Sequence, residues 1–240
     1  MIRSWWWVLV TLCAAAVAPA TVAHAAAPSF QVPDTIAQRV QACTLCHGKE
    51  GRATNEGYFP RIAGKPAGYL YNQLINFREG RRSNATMTYL VEHLSDAYLL
   101  EIASYFSALD LPYPPPPPPA TPVTKQELAR GDALVHQGDA ARGIPACIAC
   151  HGAKLAGAVP AIPGLLGLPR DYLAAQFGGW RTGQRKAASP DCMARITAML
   201  TPDDVSAVAT WLATQAVPSH AKPALTVALP LPIPCGSVGL

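Results

Sequence analysis

Charge is scarce in this sequence: only 14% of its residues are Asp, Glu, Lys or Arg. The basic ones are scattered and form no run, which excludes the electrostatic footprint of a nucleic-acid-binding surface. Strand signal is nearly absent, which argues against a β-sandwich or barrel and for an all-α fold. The N-terminal apolar run from Trp5 to Ala18 covers 14 positions, short of the roughly 20 that a bilayer-spanning helix needs. No stable membrane span is therefore expected in the mature chain. Methionine is rarest in consequence: there are four, and Met1 belongs to the leader.

The leader itself is legible. Arg3, the apolar run and the small-residue site Ala23-His24-Ala25 make Met1–Ala25 a secretory signal, with the mature chain starting near Ala26 in an exported, periplasmic setting. Cys13 follows Leu12, where a lipoprotein signal needs a small residue, so it leaves with the leader. Without Arg3 the 19 basic residues become 18 against 15 acidic, a formal +3.

Six cysteines then remain of seven. Four lie in Cys43-Thr44-Leu45-Cys46-His47 and Cys147-Ile148-Ala149-Cys150-His151. A C-x-x-C-H run is the attachment signature of a c-type haem: two thiols three residues apart can form thioethers to the two vinyl groups of one porphyrin, and the adjacent imidazole ligates the iron. A lone C-x-x-C could equally be a redox dithiol or half a zinc site. Two copies, each followed by glycine in an exported repeat, favour two covalently bound haem c groups. Their four propionates would bring the holoprotein close to neutral. Cys192 and Cys235 are the spare thiols, and in an oxidising compartment they invite a disulfide.

In chain order, Asp34–Ala42 is predicted as a short helix with Asp34 as its N-cap, leading into the first motif. Residues 48–57 are a glycine-containing loop. Tyr69–Arg82 has the apolar spacing of a helix at Leu70, Leu74, Ile75 and Phe77, and Ser95-Asp96 opens a third helix with Leu99, Ile102, Ala103 and Phe106 on one face. Prolines 114–119, flanked by Pro112 and Pro122, form a stiff polyproline II spacer that divides the chain. The second half repeats the first. Cys43 maps to Cys147 at an offset of 104; Pro60, Gly64, Pro66, Gln73, Phe77 and Arg82 map to Pro163, Gly167, Pro169, Gln176, Trp180 and Arg185 at 103. Met87, Leu94 and Tyr105 map to Met193, Leu200 and Trp211 at 106. Helices are expected at Gln126–Gln137, at Arg170–Gly179 and from Thr201-Pro202 onward. The expected organisation is a first domain at 26–111, a linker at 112–122, a second domain at 123–216 and a proline-rich tail at 217–240, lying on the surface of the second domain.

The second axial position decides what such an iron does. An open site binds small molecules, whereas a thioether closes it and raises the potential. Met87 is the sole methionine of the first half after the leader, and the repeat pairs it with Met193; Met199 pairs with His93 at the start of the last helix, a core or surface position. The expected axial ligands are thus His47 and Met87, and His151 and Met193. Arg81, Arg82 and Arg185 could reach haem propionates or be a solvated basic helix end. Tyr105 and Trp211 are expected in the core, and His136 and His220 on the surface.

These residues carry a resemblance. C-x-x-C-H-G, then Pro60, the run Tyr69, Leu70, Gln73, Leu74, Phe77, then Gly80, Arg82 and Met87, resembles the dihaem cytochrome c family of the cytochrome c4 type. In the second half the same pattern is carried by Pro163, Tyr172, Leu173, Gln176, Phe177, Trp180, Gly183, Arg185 and Met193. The likeness covers roughly residues 30–216. It implies two tandem all-α cytochrome c domains facing each other, with the carbonyls of Pro60 and Pro163 accepting the ligand imidazole N–H. The polyproline spacer, longer and stiffer than the family's, argues against close packing of the domains. The function implied is a periplasmic single-electron carrier between redox proteins, such as a respiratory complex, terminal oxidase or dehydrogenase. A permanently bound cytochrome subunit of a dehydrogenase is the alternative. A dihaem peroxidase would need one openable iron, which a methionine in both halves opposes, and a gas sensor would need an output domain.

Overall fold

A computed structural model describes residues 32–54, 58–119, 122–219, 221–226 and 230–238. The leader Met1–Ala25 and His220 lie outside the described residues. Ten α-helices, two short 3-10 helices (Lys49–Gly51 and Ala140–Arg142) and one small hairpin occur among them. In the first half these are α1 (Ile36–Arg39), α2 (Gln41–His47), α3 (Ala67–Arg78), α4 (Ala85–Val91) and α5 (Asp96–Ala108). The second half holds α6 (Lys125–His136), α7 (Ile148–His151), β1 (Gly157–Ala158), β2 (Ile162–Pro163), α8 (Arg170–Arg181), α9 (Cys192–Met199) and α10 (Pro202–Thr214).

The chain is all-α in architecture, built of two tandem domains joined by the polyproline linker. The one hairpin is antiparallel, with Gly157 opposite Pro163 and Ala158 opposite Ile162.

Local chemistry sets the helix ends. The helix expected at 34–42 is broken at Val40, and its cap is Thr35, whose side chain accepts from the Gln38 N–H; Asp34 instead pairs with Arg39 at 2.7 Å. Ser95 caps α5 and Thr124 caps α6. At α10, Thr201 and Asp204 form a reciprocal capping box, with Pro202 at the first helical position. The middle helices run from just after Pro66 and Pro169 to Arg78 and Arg181, so Arg82 lies beyond its helix and α8 extends past Gly179. Two further helices, α4 and α9, sit where the periodicity announced none. Met199 therefore ends α9 instead of starting the last helix.

Each half has its own core. Val40, Leu70, Ile102, Ala103 and Phe106 are buried between α3 and α5. Leu134, Val135, Leu173, Leu200, Val208 and Leu212 are buried where α6 and α8 meet α10. Tyr105 and Trp211 pack against these cores as expected, and His136 is exposed, edge-on to Trp211 at 5.1 Å.

The stiffness of the spacer misleads about the domain arrangement: the halves pack directly. Residues from Asp34 onward form one unit. Arg82 and Arg185 form an antiparallel bridge, flanked by Ser83 N–H to Gln184 O and Lys186 N–H to Arg81 O, both 2.7 Å. The Gly68 N–H reaches Pro160 O at 3.1 Å. The linker's entry is held down as well. Arg61 donates to the carbonyls of Leu111 (2.6 Å) and Pro112 (3.2 Å) and lies 3.9 Å from the Tyr113 ring centroid.

The tail behaves as a strap. Ala224 exchanges backbone bonds of 2.9 Å with Gly157 and Val159, Ile233 is buried, and Cys235 is bonded to Cys192. Ser237 O also accepts from Asn72 of the first half at 3.0 Å. The tail thus touches both domains, one more than expected. No described helix is long and apolar enough to cross a membrane.

Candidate haem centres

Each motif sits on a short helix ended by glycine. Gly48 (φ 75°, ψ 167°) and Gly152 (φ 80°, ψ 153°) follow the two histidines in a region that side-chain-bearing residues essentially never occupy. A Cβ at Gly48 would come within 2.3 Å of Ala53 O, so the turn that brings the chain back under the histidine needs glycine on both counts.

That turn delivers a carbonyl. His47 Nδ1–H donates to Pro60 O at 2.8 Å, and His151 Nδ1–H donates to Pro163 O at the same 2.8 Å. With Nδ1 committed, Nε2 is the lone-pair nitrogen of each ring, and its direction is fixed by the bond behind it. Burial pushes both imidazoles below their usual range, against the opposing effect of the proline carbonyls, so each is held neutral. A neutral imidazole is the form that binds a metal.

In the first half the nominated side chains meet. Cys43, Cys46, His47 and Met87 line one cavity of about 2080 Å³, which continues into the groove between the halves. Met87 is brought there by α4, whose cap Asn84 accepts from the Met87 N–H at 3.0 Å. In the second half Cys147 opens α7, Cys150 and His151 lie within it, and Met193 is the second residue of α9. The α9 cap, Asp191, binds the Ala194 N–H at 3.0 Å, so Met193 stands one helical position before the place that Met87 has on α4. Met199 packs against the second core, and His93 is exposed.

The thiols do not suit a redox dithiol. Burial pushes Cys43 and Cys150 up and Cys147 to about 11, the reverse of the depressed pKa that makes a reactive thiolate. Among the described residues no group of three His, Cys, Asp or Glu is placed to hold a metal ion, which disfavours the zinc alternative.

The groove between the halves is basic. Arg61, Lys65, Arg82 and Arg185 all line the cavity, and none of them is ion-paired to a carboxylate among the described residues, whose ion pairs lie elsewhere. Arg82 and Arg185 instead share two amide oxygens. Arg82 donates to Gln73 Oε1 (2.9 Å) and Gln176 Oε1 (2.7 Å); Arg185 donates to Gln176 Oε1 (2.7 Å) and Gln73 Oε1 (3.2 Å). Arg185 is buried, which excludes the solvated helix end considered for it. Arg81 is engaged separately, by Asn76 Oδ1 at 2.6 Å and by Glu79. Two locked imidazoles, two cysteine pairs, a thioether in the first half's cavity and cations without carboxylate partners beside it form a donor set that fits a dianionic, covalently attached haem.

Two features had no reading in the sequence. Gln73 and Gln176 stood in the motif without a role. Lys65 is buried and donates from Nζ to Gly164 O across the interface at 3.1 Å. The signal for it was there: Gly64-Lys65-Pro66 aligns with Gly167-Leu168-Pro169, a lysine against a leucine.

No family model matches the sequence. A thiosulfate dehydrogenase electron acceptor from Thiomonas intermedia (strain K12) is 37% identical over 174 residues, 72% of this chain and 78% of that protein. A cytochrome c4 from Pseudomonas aeruginosa is 32% identical over 176 residues, 72% of this chain and 84% of that protein. Among solved structures, reduced recombinant cytochrome c4 from Pseudomonas stutzeri superimposes with a TM-score of 0.64 at 27% identity, over 75% of this chain and 97% of that one. The thiosulfate dehydrogenase TsdBA from Marichromatium purpuratum superimposes with a TM-score of 0.66 at 31% identity; the match covers 76% of this chain but spans only 39% of that one.

Proposed function

Because the chain belongs to the dihaem cytochrome c family of the cytochrome c4 type, we propose that Cys43, Cys46, His47 and Met87 hold its first haem and Cys147, Cys150, His151 and Met193 its second. It is an electron-transfer protein with two covalently bound haem c groups, and it exchanges electrons with redox protein partners. The observation that carries the ligand assignment is the pair of identical imidazole-to-carbonyl bonds at 2.8 Å, one in each half.

When bound, each haem iron supplies a one-electron ferric/ferrous couple. The protein's part is to keep that couple cheap to turn over. His47 and His151 are held in one tautomer and one orientation by Pro60 and Pro163, so neither ring reorganises as the iron changes charge. Met87 and Met193 would each hold an iron through a thioether, which raises its potential and disfavours small-molecule chemistry. Arg82 and Arg185, bridged by Gln73 and Gln176, place positive charge between the domains to balance propionates.

The exported setting belongs to this proposal, with Met1–Ala25 cleaved and the mature protein periplasmic, as do the domain limits 26–111 and 123–216. The donor we propose is a thiosulfate-oxidising dehydrogenase, with this chain as its separate acceptor; the support is the likeness to the named acceptor from Thiomonas. Mixing the ferric protein with such a dehydrogenase and thiosulfate in a stopped-flow instrument tests it. Reduction of both haems at a rate that saturates with dehydrogenase concentration supports the assignment, and reduction no faster than by thiosulfate alone rejects it.

A further inference from the structure

The two halves differ most sharply in chemistry at one repeat position. Lys65 lies in the first domain, only 5% exposed, and its ammonium crosses the interface to the carbonyl of Gly164. Gly164 directly follows Pro163, whose carbonyl holds the His151 imidazole at 2.8 Å. One residue thus separates the lysine's acceptor from the group that orients the second axial histidine. The reciprocal position, Leu168, packs against the second domain's own core and offers the first haem no charge.

We propose that Lys65 is a positioning residue that acts across the domain interface, its buried positive charge raising the reduction potential of the second haem more than that of the first. This rests on His151 and Met193 being the second haem's ligands. A ferrous haem carries one unit of charge less than a ferric one, so a fixed cation nearby favours the reduced state. Burial, and then the neighbouring Arg61 charge, lower the Lys65 pKa to about 8, which leaves it charged at neutral pH. The potential of one domain's haem is therefore partly written in the other domain's sequence.

The test is a potentiometric titration of the holoprotein, with the two haems told apart by a Met87→His background. Replacing a thioether by imidazole lowers that iron's potential and moves the first haem's wave away from the second's. On this background Lys65→Met, a similar volume without charge, is expected to weaken the second haem's hold on its electron about tenfold, 59 mV for a one-electron couple. The first wave moves less, and Lys65→Arg restores the second. Equal displacement of both waves, no displacement, or the same displacement in Lys65→Arg would overturn the proposal. The ferric near-red methionine-to-iron band separates the two ways of failing. Retention of half the band in Met87→His keeps the ligand assignment intact, so an unmoved second wave then counts against Lys65 alone. Complete loss of the band overturns the assignment, and the proposal with it.

Discussion

Gly131 sits where α6 crosses α10, and its replacement by alanine sets two opposite effects against each other. Alanine in a helix interior is favoured over glycine by about 1 kcal/mol. Against that, a Cβ at Gly131 would meet Ala207 O at 2.4 Å and Trp211 Cβ at 2.6 Å. Neither neighbour can swing aside, since one is backbone and the other the root of a side chain. Ordinary carbon-to-oxygen contact begins at about 3.3 Å, so the helices must part by roughly 1 Å at the crossing. A gap of that size forfeits between a quarter and half of the dispersion energy of the contacts it opens, and Leu134 and Val135, one turn further along α6, are at most 1% exposed. Overpacking costs about 1–3 kcal/mol, and two contacts that cannot yield put this site at roughly 2–3, which outweighs the propensity gain of about 1 kcal/mol and leaves Gly131→Ala destabilised by about 1–2 kcal/mol. The second haem site should feel it, because the Cys147 thiol lies 3.8 Å from Leu134 O. Gly178 in α8 is the control: a Cβ there meets nothing within 4 Å, so Gly178→Ala keeps the propensity gain. Urea unfolding of the ferric holoprotein, followed in the haem absorbance and the far-ultraviolet circular dichroism, reads both midpoints. A Gly131→Ala protein as stable as the parent, or two alanine variants that respond alike, would refute the packing argument.

Two other perturbations have signs fixed by the structure. Replacing Cys192 and Cys235 together by serine releases a loop with a sequence separation of 43, worth roughly 4 kcal/mol on the loop-entropy view, so the denaturation midpoint of the double variant should fall accordingly; an unchanged midpoint would mean that the tail contributes nothing. For Asp204, burial alone would raise its pKa, but Arg142, Thr201 and Arg130 together hold the carboxyl well below the usual carboxylate range. Its stabilisation is thus present above about pH 4 and lost as the pH falls through the lowered value. Asp204→Asn should cost about 3 kcal/mol at neutral pH, the low end for breaking a buried pair because both arginines are at least a third exposed. The gap between parent and variant should close on acidification; a gap that widens there would contradict the assignment.

The proposed haem-attachment residues were legible because their chemistry is local: five consecutive residues specify two thiols and a histidine, and the repeat shows them twice. Met87 could be nominated by scarcity together with the repeat, which pairs it with Met193. The helix that carries it could not, since α4 and α9 are seven and eight residues long and so short a helix depends on tertiary packing more than on its own periodicity. Their caps, Asn84 and Asp191, were the available signs. The helix ends shifted for a related reason: Thr35 and Asp34 are both good caps, and only the Asp34–Arg39 ion pair decides between them. The polyproline run joins the two domains as expected, but its stiffness does not keep them apart. Stiffness fixes the path of a linker, but the Arg82–Gln176 and Arg185–Gln73 contacts join residues about a hundred positions apart, and no local pattern announces them. Lys65 was visible as a break in the repeat, yet its meaning lay in what the other domain places beside it.

If methionine holds both irons, each half of the protein carries electrons. The near-red absorption of the ferric holoprotein, measured with Met87→Ala and Met193→Ala alongside, reads this. The expected result is a methionine-to-iron band equivalent to two haems, with about half lost in each variant. A band equivalent to one haem or none, or a Met193→Ala protein that keeps the full band, would contradict it.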